Sequence, residues 1–207
     1  MKKLKVFLYP EGKTYFIEEL EQKIGFRYVT KNHFEDQKKI YYLGLQAFIK
    51  AEQRELGKRY IDLINSAYLS EVFICDLGKT LGYGLFAAET IEKGEYVGEY
   101  TGLVRKNNQR YFVPINDYCY IYPIIDKMGC NYVIDGTEGN LTRFINHSYA
   151  PNLKPTFAYN AGYFHLIFLS IKKIKKGEQL CYNYGRHYWY IRQPPQPLWN
   201  YKGDFYI

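Results

Sequence analysis

Residues 143–152 read Arg-Phe-Ile-Asn-His-Ser-Tyr-Ala-Pro-Asn, RFINHSYAPN, between two strand-like segments. Asn146, His147 and Ser148 directly follow the apolar pair Phe144 and Ile145, so their polar groups begin where a buried run ends. A buried donor or acceptor without a partner costs about 1–3 kcal/mol, so these groups need partners. Pro151 removes a backbone donor and biases Ala150 toward extended geometry. The stretch is therefore expected to be a fixed loop crossing the core, not a helix.

Outward from this loop the pattern is β-like in both directions. Upstream, Glu71 to Leu77, Leu85 to Ala88, Tyr96 to Val104, Tyr118 to Ile125 and Tyr132 to Ile134 read as short strands. Downstream come a strand from Gly162 to Ile171, a turn at Lys175 to Gly177 and a last strand from Gln179 to Tyr184 that ends in Gly185. From Asp36 to about Leu69, apolar residues fall near helical spacing, and Gly44 and Gly57 are expected to divide or bend that helical region. Before it, Leu4 to Tyr9 is a short strand for which Gly25 to Val29 is the expected partner. The fold class expected is mainly β with an N-terminal helical region. It divides into a cap (1–70), a β domain (71–188) and an aromatic tail (189–207) that docks onto it.

The 207 residues can bury one substantial core, and 47% apolar with 24% charged residues is ordinary for a folded chain. The 24 tyrosines stand out; their amphipathic rings suit half-buried channels and interfaces. The net charge of +7 is compatible with acidic partners but identifies none. The lysines at 172, 173, 175 and 176 read as a solvated turn. Cys75, Cys119, Cys130 and Cys181 show no CxxC spacing, so no metal site or disulfide framework is signalled and a reduced, intracellular, soluble setting is expected. No apolar run approaches the roughly 20 residues needed to span a bilayer.

Thr80 to Phe86, TLGYGLF, lets the backbone turn sharply at two glycines. This loop, the strand ending in Tyr100-Thr101-Gly102, RFINHSYAPN, and CYNYG at 181–185 follow one another in an order that resembles the SET-domain protein-lysine methyltransferases. The resemblance spans about Glu71 to Tyr188. It implies a β-clip of small curved sheets, with a pseudoknot where the NHS segment meets the last strand. It further implies S-adenosylmethionine as cofactor, with its methionine part cradled by Gly82, Tyr83 and Gly84. Asn146, His147 and Tyr184 would hold that cofactor, as would Arg143, which is expected to support the loop and not touch substrate. Tyr184 matches the catalytic tyrosine, Tyr100 a second tyrosine lining the lysine channel, and Tyr182 a position whose phenol would limit the product to mono- or dimethyl-lysine.

The same resemblance implies a lysine-containing protein or peptide as substrate, histone or histone-like, with nucleic acid touched only indirectly and no membrane partner. Asn183 departs from the family's usual Asp. No Cys-rich zinc segment follows Tyr184; Tyr188, Trp189 and Tyr190 are expected to pack in its place. The short chain and the missing zinc segment look more like the bacterial members than the eukaryotic ones, which implies a bacterial effector acting on chromatin, with export to a host cell and nucleus left open. Glu89, Glu92, Glu95 and Glu99 are candidates, by composition, for an acidic peptide groove. The helical region is expected to support the core, with a homo-oligomer or substrate surface as further roles. Other readings are a SET scaffold that binds peptide without turnover, a Cys181–His187 nucleophile pair, and nucleic-acid binding by charge alone. His33 and His165 lack clustered partners and read as structural.

Overall fold

Alternating burial sets the first strand. In KVFLY, Val6 and Leu8 are buried and their neighbours exposed, which makes β1 (Lys5–Tyr9). The computed structural model describes residues 4–79, 81–107, 116–189 and 192, with His187 by its backbone alone. Gly12, at φ 68°, turns the chain into β2 (Lys13–Phe16), antiparallel to β1. The expected partner, Gly25 to Val29, does not pair with β1. Ile17 and Leu20, three apart and buried, start α1 (Ile17–Ile24), and Gly25 closes that helix in the left-handed conformation.

After β3 (His33–Phe34) come α2 (Gln37–Gln46), capped by the Asp36 carboxylate on the Lys39 N–H, and α3 (Ala51–Asn65). The helical region is thus two helices, but neither glycine divides them: the break falls where Ala47 turns extended. Gly44 and Gly57 lie inside the helices as contact points. A Cβ on Gly44 would overlap the Gly162 carbonyl, and one on Gly57 the Tyr159 carbonyl.

The remaining strands are β4 (Val72–Asp76), β5 (Tyr83–Ala87), β6 (Tyr96–Glu99), β7 (Leu103–Lys106), β8 (Cys119–Ile125), β9 (Asn131–Asp135), β10 (Asn146–His147), β11 (Leu153–Asn160), β12 (Tyr163–Ser170) and β13 (Cys181–Tyr182); α4 (Arg186–Trp189) follows. They form small sheets ordered β2-β1-β4-β5, β3-β7-β9-β8, β11-β12-β6 and β10-β13. The single strand expected at Tyr96 to Val104 is two strands in different sheets. Gly102 lets the chain pass between them against the Asp135 backbone, which a Cβ would strike. β11 was hidden by Pro155, which the sheet tolerates because β11 is an edge strand. The N-terminal segment is woven into the sheets: β1 runs parallel to β4, and β3 parallel to β7.

One apolar core runs through these sheets, with Leu8, Leu20, Ile40, Ile74, Leu85 and Phe168 fully buried in it. A smaller cluster of Leu56, Ile64, Tyr96, Ala158 and Ile167 seats α3 on the β11–β12 hairpin. Glu99 is buried, not part of a surface groove: its carboxylate meets His165 Nδ1 at 2.8 Å and accepts from Asn32 Nδ2 at 3.0 Å. His165 is therefore structural, but with a specific carboxyl partner. Among the described residues no helix is long and apolar enough to cross a membrane.

RFINHSYAPN begins in a 3-10 turn (Leu141–Phe144), whose Asn140 cap accepts the Thr142 N–H at 3.0 Å, and only then becomes extended. β10 runs parallel to β13, pairing Asn146 with Cys181 and His147 with Tyr182. Ser148 N donates to Tyr182 O at 3.0 Å, Asn152 N to Cys181 O at 3.2 Å, and Cys181 N to Asn152 Oδ1 at 2.9 Å. Both ends of the segment grip the last strand, which is the pseudoknot.

Gly57→Ala tests the α3–β11 contact. Alanine gains about 1 kcal/mol of helix propensity, but its Cβ would overlap the Tyr159 carbonyl, which is backbone and cannot yield, so the overpacking cost is expected at about 3 kcal/mol, the upper end of its usual range, and outweighs the gain. A thermal melt is expected to show a midpoint several degrees lower; a midpoint equal to or above that of the parent contradicts the contact.

Candidate active site

Three segments converge beside the crossing. The hairpin loop at 81–83, held by Gly82 N donating to Gly78 O and Leu77 N donating to Gly82 O (each 2.8 Å), faces residues 143–147, and Tyr184 to Trp189 close the third side. They enclose a cavity of about 550 Å³. On the far side lies a second cavity, of about 350 Å³, lined by Cys119, Tyr120, Ile121, Pro123 and Phe157. Tyr100, Asp117, Tyr118, Tyr182, Tyr184 and Tyr188 line both. The two cavities thus share one wall, and five of its six side chains are phenols.

Each expected residue has a definite place. Tyr83 and Gly82 line the larger cavity. Gly84 lies beyond them in β5, where a Cβ would press on Gln179, Leu77 and Phe86. Asn146 Nδ2 donates to Tyr83 O at 3.2 Å and so ties two walls together. Arg143 lines the cavity with its guanidinium 3.9 Å above the Tyr118 ring while its Nε donates to Gly136 O at 2.8 Å. Ser148 Oγ turns away to accept the Ala150 N–H. Most of the polar groups that needed partners find them within the chain.

His147 is the exception. Its Nδ1 accepts the Tyr184 N–H at 3.1 Å, which puts the ring proton on Nε2 in the neutral imidazole that burial favours. That Nε2–H is buried with no partner among the described residues, and so is the indole Nε1–H of Trp189, whose ring centroid is 4.9 Å from that of His147. Both residues line the larger cavity. Two orphaned donors in one wall, each costing about 1–3 kcal/mol, fit a flat ligand that carries acceptors.

The phenols are fixed and neutral. Tyr184 donates its hydroxyl proton to Ile145 O at 2.8 Å, and its ring packs against Tyr182 and Tyr188, both at 4.6 Å, and stacks parallel to Trp189 at 6.1 Å. Tyr100 donates to Tyr118 O at 2.5 Å. Burial pushes Tyr184, Tyr100 and Tyr182 well above the ordinary phenol value, and burial together with the Asp117 charge lifts Tyr188 to about 12. None of them is a ready base near neutrality. Burial also lifts Cys181 to about 12 and Cys119 to about 11, which holds both thiols in the protonated, weakly nucleophilic form near neutrality. The His187 side chain and Tyr190 lie outside the described residues, as does nearly all of the expected tail at 189–207. Asp117 and Tyr118 escaped the sequence reading: one tyrosine among 24 in no motif carries no signal.

A small-sheet β-clip with a crossing at 146–152 and two cavities meeting at tyrosines defines the architecture of the SET domain. The SET-domain family model matches residues 82–185, half of the chain, and the chain belongs to this family. Among relatives, it is 40% identical over 116 residues to the histone-lysine N-methyltransferase EZH2 of Chaetomium thermophilum, covering 52% of this chain and 8% of that protein. It is 30% identical over 144 residues to the N-lysine methyltransferase KMT5A-A of Danio rerio, covering 66% of this chain and 42% of that protein. The crystal structure of ATXR5 in complex with histone H3.1 mono-methylated on R26 superposes with a TM-score of 0.63 at 15% identity, over 83% of this chain and 87% of that one, and shows the shared fold. The chain thus spans less than half the length of these two relatives.

Alkylation of Cys181 by a thiol reagent checks the thiol assignment. Its rate is expected to rise about tenfold per pH unit from pH 8 upward with no plateau below pH 11, since only the thiolate reacts; a plateau near pH 8 contradicts it.

Proposed function

We propose that this chain is an S-adenosylmethionine-dependent protein-lysine methyltransferase. The observation that carries the reading is the pair of cavities sharing a wall of five tyrosines, one cavity for a cofactor and the other for a lysine side chain. The orphaned N–H groups of His147 and Trp189 fit the acceptor edge of an adenine, and Gly82, Tyr83 and Asn146 stand where the amino-acid end would be held. Gly84 serves this loop by close packing, and Arg143 by bracing Tyr118 and Gly136. When bound, the cofactor supplies an electrophilic methyl group on a sulfonium.

The chain's own contribution is position and environment. A dry aromatic tube lowers the pKa of a lysine amine and so favours the neutral nucleophile. It also tolerates cationic groups over its ring faces. The Tyr184 hydroxyl spends its proton on Ile145 O, which leaves its oxygen to accept an N–H and orient an amine. Tyr100, through Tyr118 O, fixes the wall opposite. Tyr182, buried against Phe168 and Tyr184, narrows the tube and limits the product to mono- or dimethyl-lysine.

A histone or histone-like protein is the proposed substrate, supported by the names of the relatives and by the basic chain's suitability for nucleic-acid-bound targets. A bacterial origin with export to a host nucleus is the finest part of the proposal. Its support is that aromatic Tyr188 and Trp189 complete the cavity where other members bind zinc. α2 and α3 brace β11 and β12, and the exposed Tyr42, Leu45 and Phe48 beside them are the proposed surface for an oligomer or substrate.

Radiolabel transfer to a panel of histones and bacterial lysate tests the activity, and Tyr184→Phe is expected to lower it about a hundredfold or more. Transfer undiminished in Tyr184→Phe contradicts the role given to its hydroxyl, and a wild type that binds peptide and cofactor without transfer is the non-catalytic scaffold instead. Asn146→Ala is expected to abolish cofactor binding by calorimetry while leaving the protein folded; unchanged affinity sinks the assignment of that cavity. Tyr182→Phe is expected to raise the degree of methylation seen by mass spectrometry, and an unchanged product distribution counts against the gatekeeping role.

A further inference from the structure

The family match ends at Gly185, yet Tyr188 lines both cavities and Trp189 the larger one. Both sit on α4, which is four residues long and too short to be stable through its own hydrogen bonds. Arg192 holds it. Its Nε donates to Asp117 Oδ1 at 2.7 Å, its Nη2 to Asn116 O at 3.1 Å and its Nη1 to Tyr188 O at 3.1 Å, while the guanidinium lies 4.3 Å over the Tyr188 ring. One planar fork ties α4 to the turn at Asn116 and Asp117, beside the wall common to both cavities. A lysine has no such fork and could keep only the charge.

The tie is built to open. The Arg192 side chain is 17% exposed but that of Asp117 is 67% exposed, so water and salt reach the ion pair from the carboxylate side. Asp117 is also the sole carboxylate among the described residues lining either cavity, so the latch sits where the charge of an arriving lysine would be felt.

We propose that Arg192 is a positioning residue, a salt-sensitive latch that seats Tyr188 and Trp189 across the wall shared by the two cavities and thereby sets the affinity for both ligands. The part concerning ligands rests on the methyl-transfer reading; the part concerning α4 does not.

The test compares the full chain with Arg192→Ala, Arg192→Lys and the exchange Asp117→Arg with Arg192→Asp. Hydrogen exchange over residues 186–189, followed by mass spectrometry at about 50 and 500 mM salt, reads the latch without any turnover. Protection is expected in the wild type at low salt and to fall at high salt. It should be lost about tenfold in Arg192→Ala at both, intermediate in Arg192→Lys, and partly regained in the charge exchange. In parallel, the KM for a peptide with one lysine among uncharged residues, and the Kd for S-adenosylmethionine, should each rise about tenfold in Arg192→Ala with the melting temperature held within a few degrees. Equal protection and equal salt response in wild type and Arg192→Ala overturn the latch even in an active enzyme, and so does full protection in Arg192→Lys. A wild type that neither binds cofactor nor transfers methyl overturns the proposed function, while the exchange data still decide the latch.

Discussion

A parallel pair of two-residue strands governs this molecule. Asn146 and His147 lie beside Cys181 and Tyr182, and Asn152 grips Cys181 from its other end. The two strands are about 35 residues apart in sequence, so their few hydrogen bonds must offset a long loop closure. They succeed because the surroundings are already fixed: Ile145 and Phe144 below are buried, and the β11–β12 hairpin spans most of the intervening chain with a continuous ladder. The payoff in geometry is immediate. Tyr184 lies two residues beyond the pairing, with its N–H on His147 and its hydroxyl on Ile145, so the segment that forms the floor of one cavity also aims the central side chain of the wall.

The wall itself is unusual in charge terms. Five phenols, an aliphatic floor and one carboxylate at the edge make a surface that is polar in its hydrogen bonds but almost uncharged near neutrality. Arg143, the exception within, is spent on a carbonyl and a ring face. Such a lining can discriminate between protonation states of a ligand without titrating itself. Among the described residues, Asp117 with Arg192 is the ion pair at that edge; another sits away from the wall, at the end of β8, where Asp126 is held down to about 2 by backbone donors from Cys130 and Met128 and by Lys39 and Lys106.

The residues that gather around the candidate site were easier to find in the sequence than the fold that gathers them. RFINHSYAPN, the glycine loop and CYNYG are local patterns, and the structure gathers Gly82, Tyr83, Asn146, His147, Tyr184 and Tyr100 around one cavity. What it concealed depends on tertiary context. Gly44 and Gly57 look like helix breakers, yet they are needed because carbonyls of the β11–β12 hairpin press on the helices. Pro155 masks a strand whose edge position makes the missing donor harmless. α1 shows only two buried residues in eight, too few for a periodic signal. Asp117 and Arg192, 75 residues apart, carry no mark of their meeting.

The crossing also imposes an order on assembly. A chain made from its N-terminus can form α1, α2 and α3 early, but β10 has no partner until residues 181 and 182 have been synthesised. Until then the segment after Ile145 is a polar strand without a ladder, beside Tyr100 and Phe168 rings that have lost their cover. The half of the molecule that carries the paired cavities is therefore the last to be sealed, and a nascent chain paused before Cys181 exposes aromatic surface that a folding helper would recognise.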